Sequence, residues 1–379
     1  MARVHRNVSH PRRVGLTDVD PSVAADHAGP VIPRRRMRRK NPRLLAGVAC
    51  AVAVALASSA CAAQDPPKAT SAPPPCTGGT CWVDVSVATL WSAPMYPRAT
   101  DVPSLTNPAH PRQWVQSMSV EQKSWLVGKL ETQALYGTRV DVVGRAGASW
   151  SRVVVPSQPT PRDARGYPGY LPSRQLTATP PRRAKVRAMV RARTAWTWSR
   201  WNDKGVAGAR GMELSFGTSL PVVRTGRSYV VVSTLGGGRV ALRRRAVWLR
   251  GVGASYVPIT RQLVVGAELF VGLPYLWAGT SGFGVDCSGF TYTLLRAEGI
   301  TIPRDAEPQS VAGTPVTGRS LEPGDLVFFR TGPSGPVGHV GLYVGNDEMI
   351  DAPHTGASVR LEPVPPFPYY AGARRYLST

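Results

Sequence analysis

Beyond Cys81 apolar and polar residues alternate in short runs, "WVDVSVATLW" and then "TRVDVVGRAGASWSRVVV", the second divided by a Gly-containing turn. Period-two alternation bounded by turn residues predicts half-buried strands. The stretch "SMSVEQKSWLVGKL" departs from it, because Ser119 with Gln122 three places on makes a capping box for a short helix. "GYPGYLPSRQL" predicts a turn and a closing strand, so residues 82–178 read as a small β-barrel. "TATPPRR" is a linker. Residues 184–250 repeat the strand-rich style, with "RSYVVVSTLGGGRVALRRRAVWL" as a hairpin about three glycines. The pattern changes in residues 256–379. "TRQLVVGAELFVGLPY" predicts a helix whose apolar stripe is Val264, Val265, Leu269 and Phe270, and "DCSGFTYTLLRAEGI" a second helix starting at or beside Cys287. Strands follow in "GDLVFFR", "HVGLYVG" and "EMIDAP". Helices first and antiparallel strands later predict an α+β domain of about 125 residues.

Residues 44–60, "LLAGVACAVAVALASSA", form an uncharged apolar run behind the basic "RRRMRRKNPR". A basic region, an apolar core and small residues before a break predict a secretory signal. The other reading is a transmembrane anchor, for which the run is short and rich in alanine. Residues 1–36 resemble no part of a signal, whereas a start at Met37 gives an ordinary one. "ASSAC" puts Cys61 where bacterial lipoproteins are acylated, although Ser58 stands where an apolar residue is usual. Simple cleavage after Ala60 is the alternative. Export is expected, with the mature chain anchored at the outer face of the cytoplasmic membrane or otherwise secreted to the cell wall. Residues 61–81 would then serve as a flexible tether.

Charge changes the picture at one place. The whole chain carries +23, and residues 1–60 account for 11 basic and three acidic groups of it. Residues 182–250 hold 16 lysines and arginines against Asp203 and Glu213. Nearly all the excess of the mature chain therefore belongs to the second strand-rich unit. An anionic wall polymer or membrane surface suits such a unit, and nucleic acid does not suit an exported chain. The plainer reading is a soluble basic face.

Five cysteines remain to be sorted. Cys50 falls within the signal. Cys76 and Cys81, in "CTGGTC", are close enough to form a disulfide loop in an oxidising compartment, and no His or further Cys stands nearby for zinc. Cys287 is left unpaired. A free thiol titrates near 8.5, so a cysteine nucleophile needs a helix N-terminus or an imidazolium to favour its thiolate. It must also be reachable, which Gly284 and Gly289 on either side would ease. The mature chain has only His110, His339 and His354. His339 begins a strand after a Gly/Pro/Ser loop. "GNDE" can turn that strand into a hairpin that brings Asp351 to the same face, where a carboxylate would orient the imidazole. A longer turn would bring His354 there instead.

"PYLWAGTSGFGVDCSGF", "IPRDA", "LEPGDLVFF" and "HVGLYVGNDEMIDAP" together resemble the NlpC-type (NlpC/P60) family of bacterial cell-wall cysteine peptidases. The resemblance implies a compact papain-like α+β domain with Cys287 as nucleophile and His339 as general base. Tyr275 would support the oxyanion with the Cys287 backbone N–H, and Asp351 falls at the third triad position, where many members carry histidine. The upstream runs "VATLWSAP" and "ALYGTRVDVV…SWSRVVV…GYPGYLPSRQL" resemble the paired bacterial SH3 domains of γ-D-glutamyl-L-diamino acid endopeptidases. Two small SH3-like β-barrels would then precede the catalytic domain, the first closing one end of the cleft. Substrate contacts would fall on Glu131, Tyr167, Asp286, Ser288 and Asp305; a surface strand acid and a turn aromatic are the plainer readings of Glu131 and Tyr167.

The expected reaction is hydrolysis of the γ-D-glutamyl–diamino acid bond of peptidoglycan stem peptides bearing a free N-terminal L-Ala. No cofactor or metal is called for, and a monomer is expected. An endopeptidase on intact wall would need an open cleft. A wall-binding scaffold with a silent domain would not need the Cys287–His339 pair.

Overall fold

The computed structural model describes residue 76 and residues 78–202, 204–254, 258–317, 320–365 and 369–377. The expected signal, Cys61 and most of the tether lie outside them.

The first alternating region folds into a seven-stranded antiparallel sheet. Its order is Leu130–Leu135, Val87–Trp91, Tyr167–Pro172, Trp150–Val155, Arg139–Ala146, Gly79–Val83 and Leu176–Thr177. Every second side chain goes inward, and Val83, Leu90, Val140, Val153 and Leu171 are completely buried in one core. Cys76 and Cys81 are joined by a disulfide. The expected helix is Val120–Ser124, with its capping box in place. Gln122 N donates to Ser119 Oγ at 3.2 Å, and Ser119 N donates to Gln122 Oε1 at 2.9 Å. Two further helical segments, Val102–Leu105 and Pro111–Ser117, precede it without a periodic signal long enough to read. "YPGYLP" is strand, and the turn expected in this stretch lies in residues 156–166, ending at Gly166.

The second region repeats the architecture with a core of its own, including Val190, Leu214, Val230, Val232 and Leu242. Its antiparallel order is Gly205–Ser215, Thr194–Asn202, Arg239–Arg243, Tyr229–Ser233, Ser219–Thr225, Val186–Val190 and Val247–Gly251.

The last region packs helices Thr260–Glu268, Cys287–Ala297 and Ala306–Val311 against a six-stranded antiparallel sheet. The sheet runs Thr314–Val316, Tyr370–Arg375, Leu326–Arg330, Val337–Gly345, Glu348–Asp351 and Arg360–Pro363. Of the expected stripe only Phe270 is buried, and the first helix turns a different face inward. Leu263, Gly266, Ala267 and Phe270 are buried, whereas Val265 and Leu269 are 44% and 41% exposed. Small residues are the reason: a Cβ at Gly266 would sit 3.2 Å from Leu294 Cδ2, so the helices meet where side chains are least bulky. Phe270 lies edge-on to Phe290 and to Phe216, which carries the second sheet onto this core.

The first sheet is also fastened here. Trp277 Nε1 donates to the Leu130 carbonyl at 3.1 Å, and Thr280 Oγ1 to the Gln133 carbonyl at 3.1 Å. Its strand Leu130–Leu135 thus runs along the loop that leads to Cys287.

Candidate active site

Cys287 is the first residue of its helix. Asp286 caps that helix, its Oδ1 accepting from Gly289 N at 2.6 Å. The cap leaves the thiol beside unpaired amides, which favour negative charge. Cys287 is 7% exposed. The glycines near it serve packing rather than access: a Cβ at Gly289 would lie 2.0 Å from the Gly279 carbonyl oxygen, and one at Gly284 2.7 Å from Leu276 Cβ.

A buried cation braces the cap. Arg304 is 1% exposed, and its guanidinium donates to Asp286 Oδ1 and Oδ2 at 3.1 and 2.8 Å. Further bonds run to Ser288 Oγ at 3.0 Å and, from Nε, to Thr132 Oγ1 of the first sheet at 3.1 Å. A guanidinium can be this deeply buried only with its charge paired and its N–H groups satisfied. Gln309 adds a second brace, donating to the Ser288 carbonyl at 3.1 Å and accepting from Thr291 Oγ1 at 2.9 Å.

His339 and Asp351 come from neighbouring strands. Asn346 and Asp347, at φ 54° and 57°, form the two-residue turn that "GNDE" suggested. The resulting register pairs Asp351 with Gly341, so His339 lies diagonally across the same face. His339 Nε2 is 2.5 Å from Asp351 Oδ2, and the Cys287 side chain is near enough to favour the charged form of the ring. With Nε2 committed to the carboxylate, Nδ1 is the nitrogen left for sulfur. Burial works against an imidazolium here, but Asp351 and Cys287 outweigh it and push His339 up to about 10. Asp351 is fully buried. Glu362, on the next strand and diagonal to Asp351, has its carboxyl raised by burial and by the Asp351 charge. His354 is elsewhere: it is exposed on a turn, with Nδ1 2.9 Å from the Thr355 carbonyl.

Tyr275 is 6% exposed and bridged to Val285, the residue before the Asp286 cap. Burial, reinforced by Cys287 and Asp286, raises its phenol above the ordinary value, so the hydroxyl keeps its proton and can donate. Ser288, buried, faces Arg304.

Glu131 and Tyr167 come from the first sheet and lie together. Tyr167 OH donates to Asp305 Oδ2 at 3.0 Å, linking that sheet to the catalytic region. Burial and the Asp305 charge hold the Tyr167 phenol above its usual range, and burial does the same to the Asp305 carboxyl. Arg162, which no sequence pattern marked, occupies the space between them. Its guanidinium pairs with both oxygens of Glu131, donates to Tyr167 OH at 3.3 Å and stacks 5.4 Å from that ring. Arginines thus engage both oxygens of Asp286 and of Glu131, but Arg304 on Asp286 is buried whereas the Arg162 side chain on Glu131 is 47% exposed. Arg304 itself escaped sequence reading, although "IPRDA" contained it.

A sulfur nucleophile, an imidazole and a buried carboxylate in one line can carry acyl transfer through a covalent intermediate. The NlpC/P60 family model matches residues 272–370, a span that contains all three. The chain is 42% identical over 306 residues to the γ-D-glutamyl-L-lysine dipeptidyl-peptidase of Bacillus cereus (strain ATCC 10987 / NRS 248). That alignment spans 78% of this chain and 90% of the relative. The protein of the same name in Bacillus subtilis (strain 168) is 37% identical over 285 residues, spanning 73% of this chain and 90% of the relative. Among solved structures, an NlpC/P60 family protein from Bacillus cereus ATCC 10987 superposes with a TM-score of 0.73 at 40% identity, covering 79% of this chain and all of that one. Similarity of this extent, running through both strand-rich regions as well as the site, makes the chain a member of the NlpC/P60 family.

Proposed function

We propose that this chain is a cysteine peptidase that hydrolyses the γ-D-glutamyl bond to a diamino acid in peptidoglycan stem peptides. The observation that carries the reading is Cys287 at a capped helix N-terminus, beside a His339 ring whose Nε2 Asp351 holds at 2.5 Å. The substrate class follows the names of the two Bacillus relatives.

The Cys287 sulfur attacks the γ-carbonyl carbon of D-Glu. The oxyanion that forms meets the Cys287 backbone N–H and the protonated Tyr275 hydroxyl. The tetrahedral centre collapses to a thioester as the C–N bond breaks, and the His339 imidazolium protonates the departing amine. Neutral His339 then takes a proton from water, whose oxygen adds to the thioester. Collapse releases the carboxylate and returns sulfur and imidazolium to their starting states. Asp351 holds the ring in the tautomer that both halves require.

The regions 82–178 and 184–250 are, on this reading, SH3-like barrels before a catalytic domain at 256–379. Glu131, Asp305 and the Tyr167 hydroxyl receive the free N-terminal ammonium of L-Ala. Their position along the approach to Cys287 supports that assignment. The basic second barrel meets an anionic partner at the wall or membrane surface, and Cys61 anchors the exported protein there.

Mass spectrometry of digests of free stem peptides and intact sacculi tests the reaction. The wild type should release the N-terminal dipeptide, and Cys287→Ala should release none while keeping its circular dichroism and melting temperature. Release of dipeptide by Cys287→Ala at the wild-type rate would overturn the mechanism.

A further inference from the structure

Trp196 and Trp198 stand two residues apart on the strand Thr194–Asn202, so both project from one face of the second sheet. The other face is the buried one, carrying Ala195 and Thr197 at 6% and 5% exposure. The two indoles are therefore not core residues; Trp196 is 37% exposed and Trp198 partly so. On one neighbouring strand Arg210 pairs directly with Trp198, and on the other Ala241 does, with Arg243 two residues further on. The Arg210 guanidinium lies 5.6 and 5.5 Å from the Trp196 and Trp198 rings, and that of Arg243 lies 5.4 Å from Trp198. With Arg245 they line a cavity of about 450 Å³ that, among the described residues, no carboxylate lines.

Three arginines converge there without an anion. Among the described residues none of Arg210, Arg243 and Arg245 is paired with a carboxylate. The acid opposite Trp196, Glu213, is already held at both oxygens by Arg112, at 2.6 and 2.9 Å, and by Thr194 Oγ1 at 2.7 Å. Gathering like charges against exposed indoles costs free energy in the unliganded protein, and an anion relieves it.

The lining specifies more than charge. Guanidinium forks match the paired oxygens of a phosphodiester, and indole faces pack on the C–H faces of a polyol or sugar. A lone phosphate would leave the indoles uncovered, and a neutral glycan would leave the arginines unpaired. A lipid surface is broad and flat, whereas this site is concave. We propose that the pocket binds a phosphodiester-linked polyol or sugar polymer of the wall. The proposal rests on the reading that the second sheet has an anionic partner, and gives that partner a chemistry and a place.

Binding of the full chain to labelled poly(glycerol phosphate), followed by fluorescence anisotropy across a salt series, tests it. Trp198→Ala should weaken binding at least tenfold. The double variant Arg210→Gln/Arg243→Gln should weaken it similarly and lower the log–log salt slope by roughly one per phosphate contact removed. Neither should alter kcat/KM on a soluble stem peptide, and the Arg double variant serves if Trp198→Ala does not fold. Salt-sensitive binding that both variants retain in full would overturn the pocket while leaving the anionic partner standing. No salt-sensitive binding to poly(glycerol phosphate), to phosphatidylglycerol vesicles or to single-stranded DNA would overturn both. Tighter binding to the vesicles or the DNA than to poly(glycerol phosphate) would overturn the choice of polymer.

Discussion

At His339, desolvation is opposed by Asp351 and Cys287, and these two partners prevail. The imidazolium that must protonate the leaving amine then persists well above the ordinary histidine range, to about pH 10. The alkaline limb of the kcat/KM profile should lie near that value. Asp351→Asn removes the charge that helps to hold the proton. It should move the limb down toward neutrality and lower kcat far more than KM, while His354→Ala changes neither. Stability follows the same sign. The histidine keeps its proton more tightly when folded than when unfolded, so its contribution is complete below about pH 6.5 and fades as pH rises toward 10. A melting temperature that falls across that interval in the wild type, and falls less in Asp351→Asn, is the expected result. An alkaline limb near 6.5 in the wild type would contradict the geometry. These residues were legible because a short turn joins them: "GNDE" put either Asp351 or, with a longer turn, His354 beside His339, and the observed register decided between the two. Arg304 was not legible, since one partner, Thr132, lies 172 residues upstream. Nor was Arg162, an arginine in a loop of ordinary turn residues.

Helices and strands show a similar divide between local and distant causes. Alternation and capping are written within a few residues, so strands such as Val87–Trp91, Trp150–Val155 and Tyr229–Ser233 and the helix at Val120 could be read directly. Which face a helix buries is settled by its neighbour. The apolar pattern favoured Val265 and Leu269, but the contact with the cysteine helix uses Gly266 and Ala267 because they admit close approach. The cysteine helix makes the same demand at Gly289, where an added methyl would overlap the Gly279 carbonyl oxygen. A backbone oxygen cannot rotate aside as a side chain can. Gly289→Ala should therefore displace the helix start, costing about 1–3 kcal/mol of stability and more than tenfold in kcat. Thermal unfolding and steady-state kinetics check both. A variant with wild-type melting and turnover would show that the helix can slide without consequence.

For the molecule as a whole, the first sheet lies against the approach to Cys287, and it presents a cation where the substrate's own cation is expected. Arg162 must leave Glu131 before an ammonium can reach it. Its side chain is 47% exposed, so solvent can receive it. Arg162→Ala should lower KM for peptides with a free L-Ala amine several-fold and leave kcat nearly unchanged. Acetylating that amine removes the charge that Glu131 and Asp305 would meet. Such a peptide should be cut at least a hundredfold more slowly by the wild type, about 2.7 kcal/mol in the transition state. Equal rates on free and acetylated peptides would mean an open cleft, and intact wall would become a substrate.

Arg304 has one further consequence. Its guanidinium holds the cap of the cysteine helix while its Nε and its backbone N–H reach the first sheet, at Thr132 Oγ1 and the Pro159 carbonyl. Trp277, Thr280 and Tyr292 send polar groups the same way, to Leu130, Gln133 and Ser157. Excising residues 260–377 as a cassette would strip these donors of their acceptors beside the nucleophile. Grafting them behind a foreign binding module would do the same. The catalytic third is thus not a portable part: the first sheet and its loops support the nucleophile's helix, and the two can change only together.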